Sequence, residues 1–118
     1  MQKSILIVDD EIALAKALQL KFNHLGHTTA IAANGAEALE KIEAQYFDLI
    51  LLDLLMPVMD GWEVLAKVQG KGLAIIITSN LGQPEDVVKA KSLGALDFLI
   101  KSENSLAEIS TKIAQYLQ

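Results

Sequence analysis

Asp53 closes the apolar run "LILL", where a carboxylate left desolvated and unpaired would cost several kcal/mol. Other residues with chemistry to offer stand in similar places. Asp9 and Asp10 follow "ILIV", Thr78 and Ser79 end "LAIIIT", and Lys101 follows "FLI". Clustered carboxylates repel one another unless a cation sits among them, and hard oxygen donors with open positions favour Mg²⁺. A lysine beside them adds a second positive charge. Such a set can hold an anion beside a metal while one carboxylate acts as nucleophile.

Whether these residues meet depends on the elements that carry them. "ILIV" (5–8) reads as a short strand ended by acids. From Glu11 the apolar positions Ile12, Ala15, Leu18, Phe22 and Leu25 recur every three or four residues, a helix stopped by Gly26. "TTAIA" (28–32) is β-prone. Asn34-Gly35 reads as a turn, and Ala38, Leu39 and Ile42 mark a second helix. "LILL" (49–52) is a third strand. Asp60 with Glu63 is a capping-box pattern opening a third helix. "LAIIIT" (73–78) is a fourth strand. Pro84 suits the first turn of a helix running to Leu93, with Gly94 beyond it. "FLI" (98–100) is a fifth strand. Ser105 and Glu108 repeat the capping box before a last helix striped by Leu106, Ile109, Ile113 and Leu117.

Alternating strands and helices predict an α/β fold, a five-stranded parallel sheet doubly wound by right-handed crossovers. The continuous apolar strands suit burial on both faces. Ligands of such sheets bind beyond the carboxyl ends of the strands, where the strand order switches. Asp9, Asp10, Asp53, Thr78 or Ser79, and Lys101 all fall on that edge.

Composition limits the alternatives. The 118 residues fit one domain, here 1–118, which can bury about two thirds of its unfolded surface. With 52% hydrophobic and 21% charged residues the chain suits a soluble globular fold. A net charge of −5, with ten Lys and no Arg, argues against nucleic acid binding. The lack of Cys excludes thiol chemistry, and no apolar run approaches a membrane span. No signal peptide is evident, so the expected location is cytoplasmic.

The residues "VDDE" (8–11), "LLDLLMPVMDG" (51–61), Ser79 and "LGALDFLIK" (93–101), with the spacing among them, resemble the receiver domain of bacterial two-component response regulators. The resemblance covers the whole chain. It implies a (βα)5 flavodoxin-like sheet of strand order 2-1-3-4-5. Asp53 would accept a phosphoryl group from a phosphohistidine on a sensor histidine kinase or a phosphotransfer protein. Asp10 and Asp53 would ligate Mg²⁺ directly, Leu55 through its backbone carbonyl and Asp9 through water. Lys101 would pair with the phosphoryl oxygens. Ser79 would move inward to bond them, letting Phe98 rotate inward. The face of the fourth helix, fifth strand and fifth helix would then bind an effector or a second copy. The resemblance also implies that the positions two beyond the acceptor and two beyond the hydroxyl, here Leu55 and Leu81, would flank the path of hydrolytic water. Both are apolar and bulky, which predicts slow self-dephosphorylation.

Other readings compete. Asp10 could also cap the first helix, and strand alternation lets only one of Thr78 and Ser79 face the site; the resemblance favours Ser79. Phe98 and Trp62 could be simple packing. His24 and His27 read as surface residues, and Lys89, Lys91, Asp97 and Lys112 as a solvated charged face. Ser102 replaces the Pro that receivers usually carry after the lysine. A cis bond without Pro costs about 2.5–4 kcal/mol, which leaves the approach of Lys101 and the path of "KSENS" open. Phe98 lacks the hydroxyl that a Tyr would use to bond backbone when turned in, and Asn80 stands where a small residue is common in the family. A haloacid-dehalogenase-type phosphatase would need an Asp at Leu55, and a dinucleotide site a G-x-G-x-x-G after the first strand. A pseudo-receiver, folded for docking but never phosphorylated, typically lacks the acid pair, the acceptor or the lysine. All are present here.

Overall fold

A computed structural model describes residues 2–118. The chain runs β1 (Ser4–Val8), α1 (Ile12–His24), β2 (Thr28–Ala32), α2 (Gly35–Ala44), β3 (Leu49–Leu52), α3 (Gly61–Val68), β4 (Ile75–Ser79), α4 (Pro84–Ser92), β5 (Asp97–Ile100) and α5 (Leu106–Ala114). Short 3₁₀ turns at Lys101–Glu103 and Gln115–Leu117 flank α5. All strand pairs are parallel, in the order β2-β1-β3-β4-β5. The order reverses between β1 and β3, so the ends of those two strands border the switch crevice.

Strand alternation divides the core into two layers. Ile5, Ile7, Leu49, Leu51, Ile76 and Leu99 pack with Ala15, Leu18 and Phe22 of α1 and Ile109 and Ile113 of α5. Leu6, Val8, Ile50, Leu52 and Ile77 point the other way, onto Ala38 of α2, Val64 and Leu65 of α3 and Ala90 of α4. Each fully buried Leu or Ile contributes about 1.5–3 kcal/mol, so this two-sided burial fixes the strands on which the site stands. Helix α4 is the least anchored, with Ala90 its one buried residue.

The helix signals hold with local changes. Ser105 and Glu108 form the reciprocal capping box. Asp60 caps α3 by accepting from the Glu63 N–H at 3.0 Å. Pro84 opens α4 at its first turn. Three expectations need correction. Asn34-Gly35 is a helix start, with Asn34 Oδ1 accepting from Glu37 N–H at 3.0 Å and Gly35 the first residue of α2. Asp10 does not cap α1; Glu11 occupies the cap position without a side-chain bond. Strand β4 begins two residues late and ends on Ser79 rather than Thr78, because its ladder with β3 starts at Ile75 and that with β5 extends to Ser79–Ile100.

Candidate functional site

Strands β1 and β3 lie side by side with Val8 opposite Leu52, so Asp9 and Asp53 leave the sheet as neighbours. The Asp53 N–H donates to the Val8 carbonyl at 2.9 Å and the Asp9 N–H to Ala32 at 3.0 Å, extending the ladder one step beyond the strands. Both carboxylates are buried, while Asp10 is exposed at the rim. Carboxylate oxygens of Asp9, Asp10 and Asp53 lie within 4.8 Å of one another.

Lys101 reaches this cluster from the end of β5. Its ammonium lies 2.7 Å from Asp9 Oδ2, 3.0 Å from Glu11 Oε1 and 3.1 Å from Asp53 Oδ2. No cis peptide occurs among the described residues, so the Lys101–Ser102 bond is trans and the lysine still reaches the acids. The 3₁₀ turn at Lys101–Glu103, with Asn104 Nδ2 donating to the Ile100 carbonyl at 2.9 Å, carries the chain onward without proline.

Each acid is held by its own backbone. Asp9 Oδ1 accepts from the Glu11 N–H at 2.9 Å, and Asp53 Oδ1 accepts from the Leu55 N–H at 3.3 Å. One oxygen of each faces a backbone donor and the other faces Lys101. Burial pushes the Asp9 carboxyl above the usual carboxylate range; Lys101 and the Glu11 N–H oppose this without cancelling it. Burial would lower the Lys101 ammonium, but its hydrogen bond to Asp9 and the charges of Asp9 and Asp53 outweigh it and raise it above the ordinary lysine range. Both shifts are upward for different reasons: burial dominates at Asp9, with the Asp53 charge adding a little, whereas at Lys101 the surrounding carboxylates outweigh burial.

The loop after Asp53 is tightly folded. The Met59 N–H bonds to the Pro57 carbonyl at 2.7 Å around Val58, whose φ of 68° makes a γ-turn at a β-branched residue. Such a conformation stores on the order of 1–3 kcal/mol of strain. Two glycines hold the loop. Gly61 N–H donates to the Leu54 carbonyl at 3.0 Å, and a Cβ on Gly61 would come within 2.2 Å of the Asp53 carbonyl oxygen. Gly35 N–H donates to the Met59 carbonyl at 2.9 Å, joining the start of α2 to the same loop.

The remaining predicted residues fall close by. Ser79 is fully buried at the end of β4, and its Oγ accepts from the Leu81 N–H at 3.4 Å. It shares a sheet face with Ile77 and Phe98, while Thr78 shares the opposite face with Leu99. Phe98 is half-buried against the layer under α2, α3 and α4. Leu55 is 53% exposed beside Asp53, whereas Leu81 is partly buried and packs on that same layer. Trp62 packs there too, with the Lys89 ammonium 4.4 Å from its ring centroid. On the outer face Asp97 accepts from the Tyr116 hydroxyl at 2.7 Å and Lys112 donates to Asn104 at 2.9 Å. His24 is exposed, and His27 accepts from the Lys3 N–H at 3.1 Å.

Sequence reasoning missed Glu11 as a partner of Lys101, the γ-turn at Val58, and both glycine contacts. The "DDE" triplet was the available signal for Glu11. Nothing in the sequence marks Val58, since a β-branched residue argues against positive φ.

The donor set fits Mg²⁺: three carboxylates in close reach of one another, with an exposed rim that leaves room for the waters this ion retains. Asp9, Asp10 and Asp53 are the residues that could hold it.

A doubly wound sheet of order 2-1-3-4-5 with this acid pocket defines the flavodoxin-like class of signalling domains. The chain belongs to the response regulator receiver domain family, which it matches over residues 5–114. It is 37% identical over 119 residues to sporulation initiation phosphotransferase F of Bacillus subtilis, covering 99% of this chain and 95% of that protein. It is 38% identical to the transcriptional regulatory protein ZraR of Klebsiella oxytoca over 85% of this chain, but spans 23% of that regulator's length. Among solved structures it resembles a CheY-like receiver domain protein of Methanospirillum hungatei, with TM-score 0.89 and 31% identity over 99% of this chain and 94% of that one. It also resembles a chain of the CheX-CheY-BeF3-Mg²⁺ complex of Borrelia burgdorferi, with TM-score 0.89 and 30% identity, covering 98% and 90%. The family is a phosphoacceptor module of two-component signalling, and the acidic pocket of this chain fits phosphorylation and Mg²⁺ binding. No helix among the described residues is long and apolar enough to cross a membrane.

Proposed function

We propose that residues 1–118 act as one receiver domain in which Asp53 takes a phosphoryl group from a phosphohistidine of a sensor histidine kinase or a phosphotransfer protein. The observation that carries this reading is the placement of Asp53 Oδ2 3.1 Å from the Lys101 ammonium, beside Asp9 and Asp10. An Asp53 oxygen attacks phosphorus, a P–O bond forms, and the P–N bond breaks. Its electron pair returns to the imidazole, which takes a proton from solvent. Bound at Asp9, Asp10, Asp53 and the Leu55 carbonyl, Mg²⁺ would neutralise charge on the phosphoryl oxygens. Lys101 pairs with those oxygens, a role its buried position and retained charge support.

Ser79 then bonds the phosphoryl group, and Phe98, on the same sheet face, follows it inward. This shifts the populations of the α4-β5-α5 face, which binds an effector or a second copy of the chain. The sparse burial of α4 supports its being the element that moves. The domain acts in the cytoplasm, binds no nucleic acid itself, and has no catalytic turnover beyond slow loss of its own phosphoryl group. Leu55 and Leu81 set that slowness by keeping hydrolytic water from the in-line position.

Incubation with acetyl phosphate and Mg²⁺ should add one phosphoryl group by intact mass, and Asp53→Asn should take none. Unchanged incorporation in Asp53→Asn would refute the assignment.

A further inference from the structure

Three carboxylates share the single ammonium of Lys101, and they differ in how firmly they are held. Asp9 is buried and fixed by the Glu11 N–H as well as by Lys101. Asp53 is buried and fixed by the Leu55 N–H. Glu11 is different: its side chain is 55% exposed, makes no helix-capping bond, and touches Lys101 at 3.0 Å. An ammonium has three donors and no more. With Asp9, Glu11 and Asp53 in contact, an incoming anion on Asp53 finds no donor free on Lys101 until one partner withdraws.

Asp53 carries the incoming group, and of the other two partners Glu11 is the one that can withdraw. It sits on the solvent side, its release uncovers no buried charge, and water can replace Lys101 at its carboxylate. Displacing Asp9 instead would leave a buried carboxylate unpaired, which is far more costly.

We propose that Glu11 is a positioning residue that competes with the phosphoryl group for the Lys101 ammonium. The Lys101–Glu11 contact thereby sets how readily Asp53 takes and keeps an anion. This rests on the reading of Asp53 as acceptor. It gives the third acid of "VDDE" a part distinct from the metal cluster, since that cluster comprises Asp9, Asp10 and Asp53.

The test is beryllofluoride binding in the presence of Mg²⁺, followed by NMR, in wild type, Glu11→Gln and Glu11→Asp. Glu11→Gln loses the charge. Glu11→Asp keeps the charge but is one methylene too short to hold the same contact. Both variants should bind about two- to five-fold more tightly, the scale of one half-exposed ion pair. Both should also shift the Lys101 ε-methylene resonance before any beryllofluoride is added. Tighter binding in Glu11→Gln with wild-type binding in Glu11→Asp would overturn the contact in favour of a long-range charge effect. Unchanged affinity in both variants would overturn it outright. Wild type that binds no beryllofluoride would overturn the acceptor reading and this inference with it, a failure visible before any Glu11 variant is compared.

Discussion

The Lys101 ammonium lies 2.7 Å from Asp9 Oδ2, and both side chains are almost wholly buried. Removing one partner of a buried pair strands the other. Lys101→Met should therefore destabilise the domain by about 3 kcal/mol at neutral pH, read from urea unfolding. Adding Asp53→Asn to Lys101→Met should restore part of the loss by removing one stranded carboxylate. A Lys101→Met protein as stable as wild type would show that the acids do not need the ammonium.

The same lysine should make stability sensitive to alkali. Its native proton is held above the ordinary value of 10.5, so near that pH the unfolded chain loses a proton that the folded chain keeps. Stability from this group is complete below about 10.5 and declines as pH rises through the native value. Wild type should lose urea stability across that window more steeply than Lys101→Met. Parallel slopes would contradict it.

Three carboxylates, those of Asp9, Glu11 and Asp53, contact one ammonium and Asp10 lies beside two of them, so the site keeps an excess of negative charge. Mg²⁺ at ten times its dissociation constant should stabilise the fold by about 1.4 kcal/mol. That corresponds to a rise of roughly 5 °C in Tm. Asp10→Ala should abolish most of the rise, since it removes an exposed acid that has no bond to Lys101. An equal rise in Asp10→Ala would exclude that carboxylate from the metal site.

Gly61 lies so close to the acceptor strand that a Cβ would meet the Asp53 carbonyl oxygen at 2.2 Å and Leu54 Cα at 2.8 Å. Both obstacles are backbone, so neither can swing aside. Gly61→Ala should cost about 3 kcal/mol and slow phosphorylation by acetyl phosphate as Asp53 is displaced. Wild-type stability and rate in this variant would mean that the loop yields freely.

Leu55 is half exposed beside Asp53, whereas Leu81 is partly buried in the core layer. Leu55→Asn should therefore account for most of the change when phosphoryl decay is timed. The double variant with Leu81→Glu should lose its phosphoryl group about tenfold faster or more, once a polar side chain can hold water in line. An unchanged half-life in the double variant would remove both leucines from control of hydrolysis.

Much of this was legible in the sequence because burial writes itself into periodicity. The strand at 49–52 coincides with the observed β3, since two-sided burial demands an unbroken apolar run, and the one at 28–32 coincides with β2, a half-exposed edge strand marked by β-branched Thr and Ile. The acids and the lysine were legible because strand ends are marked by abrupt polarity. The end of β4 was not, because Thr and Ser are polar yet strand-compatible, and only pairing with Ile100 decides that Ser79 belongs to the strand. The Lys101–Glu11 contact joins residues 90 positions apart, and no local pattern encodes it. The γ-turn at Val58 runs against propensity, and bonds to the flanking loop, such as Gly35 to Met59, hold it in place.

Those long separations also bear on how the molecule assembles. Lys101 meets Asp53 across 48 residues and Glu11 across 90, so its contacts form only once β5 has docked at the sheet's edge. Loop-closure entropy places such contacts late in folding. A chain still lacking β5 carries its acids without the ammonium that pairs with them. The charge balance of the acid pocket is thus completed only with the last strand of the sheet. Substituting Lys101 should accordingly leave the refolding rate nearly untouched and quicken unfolding.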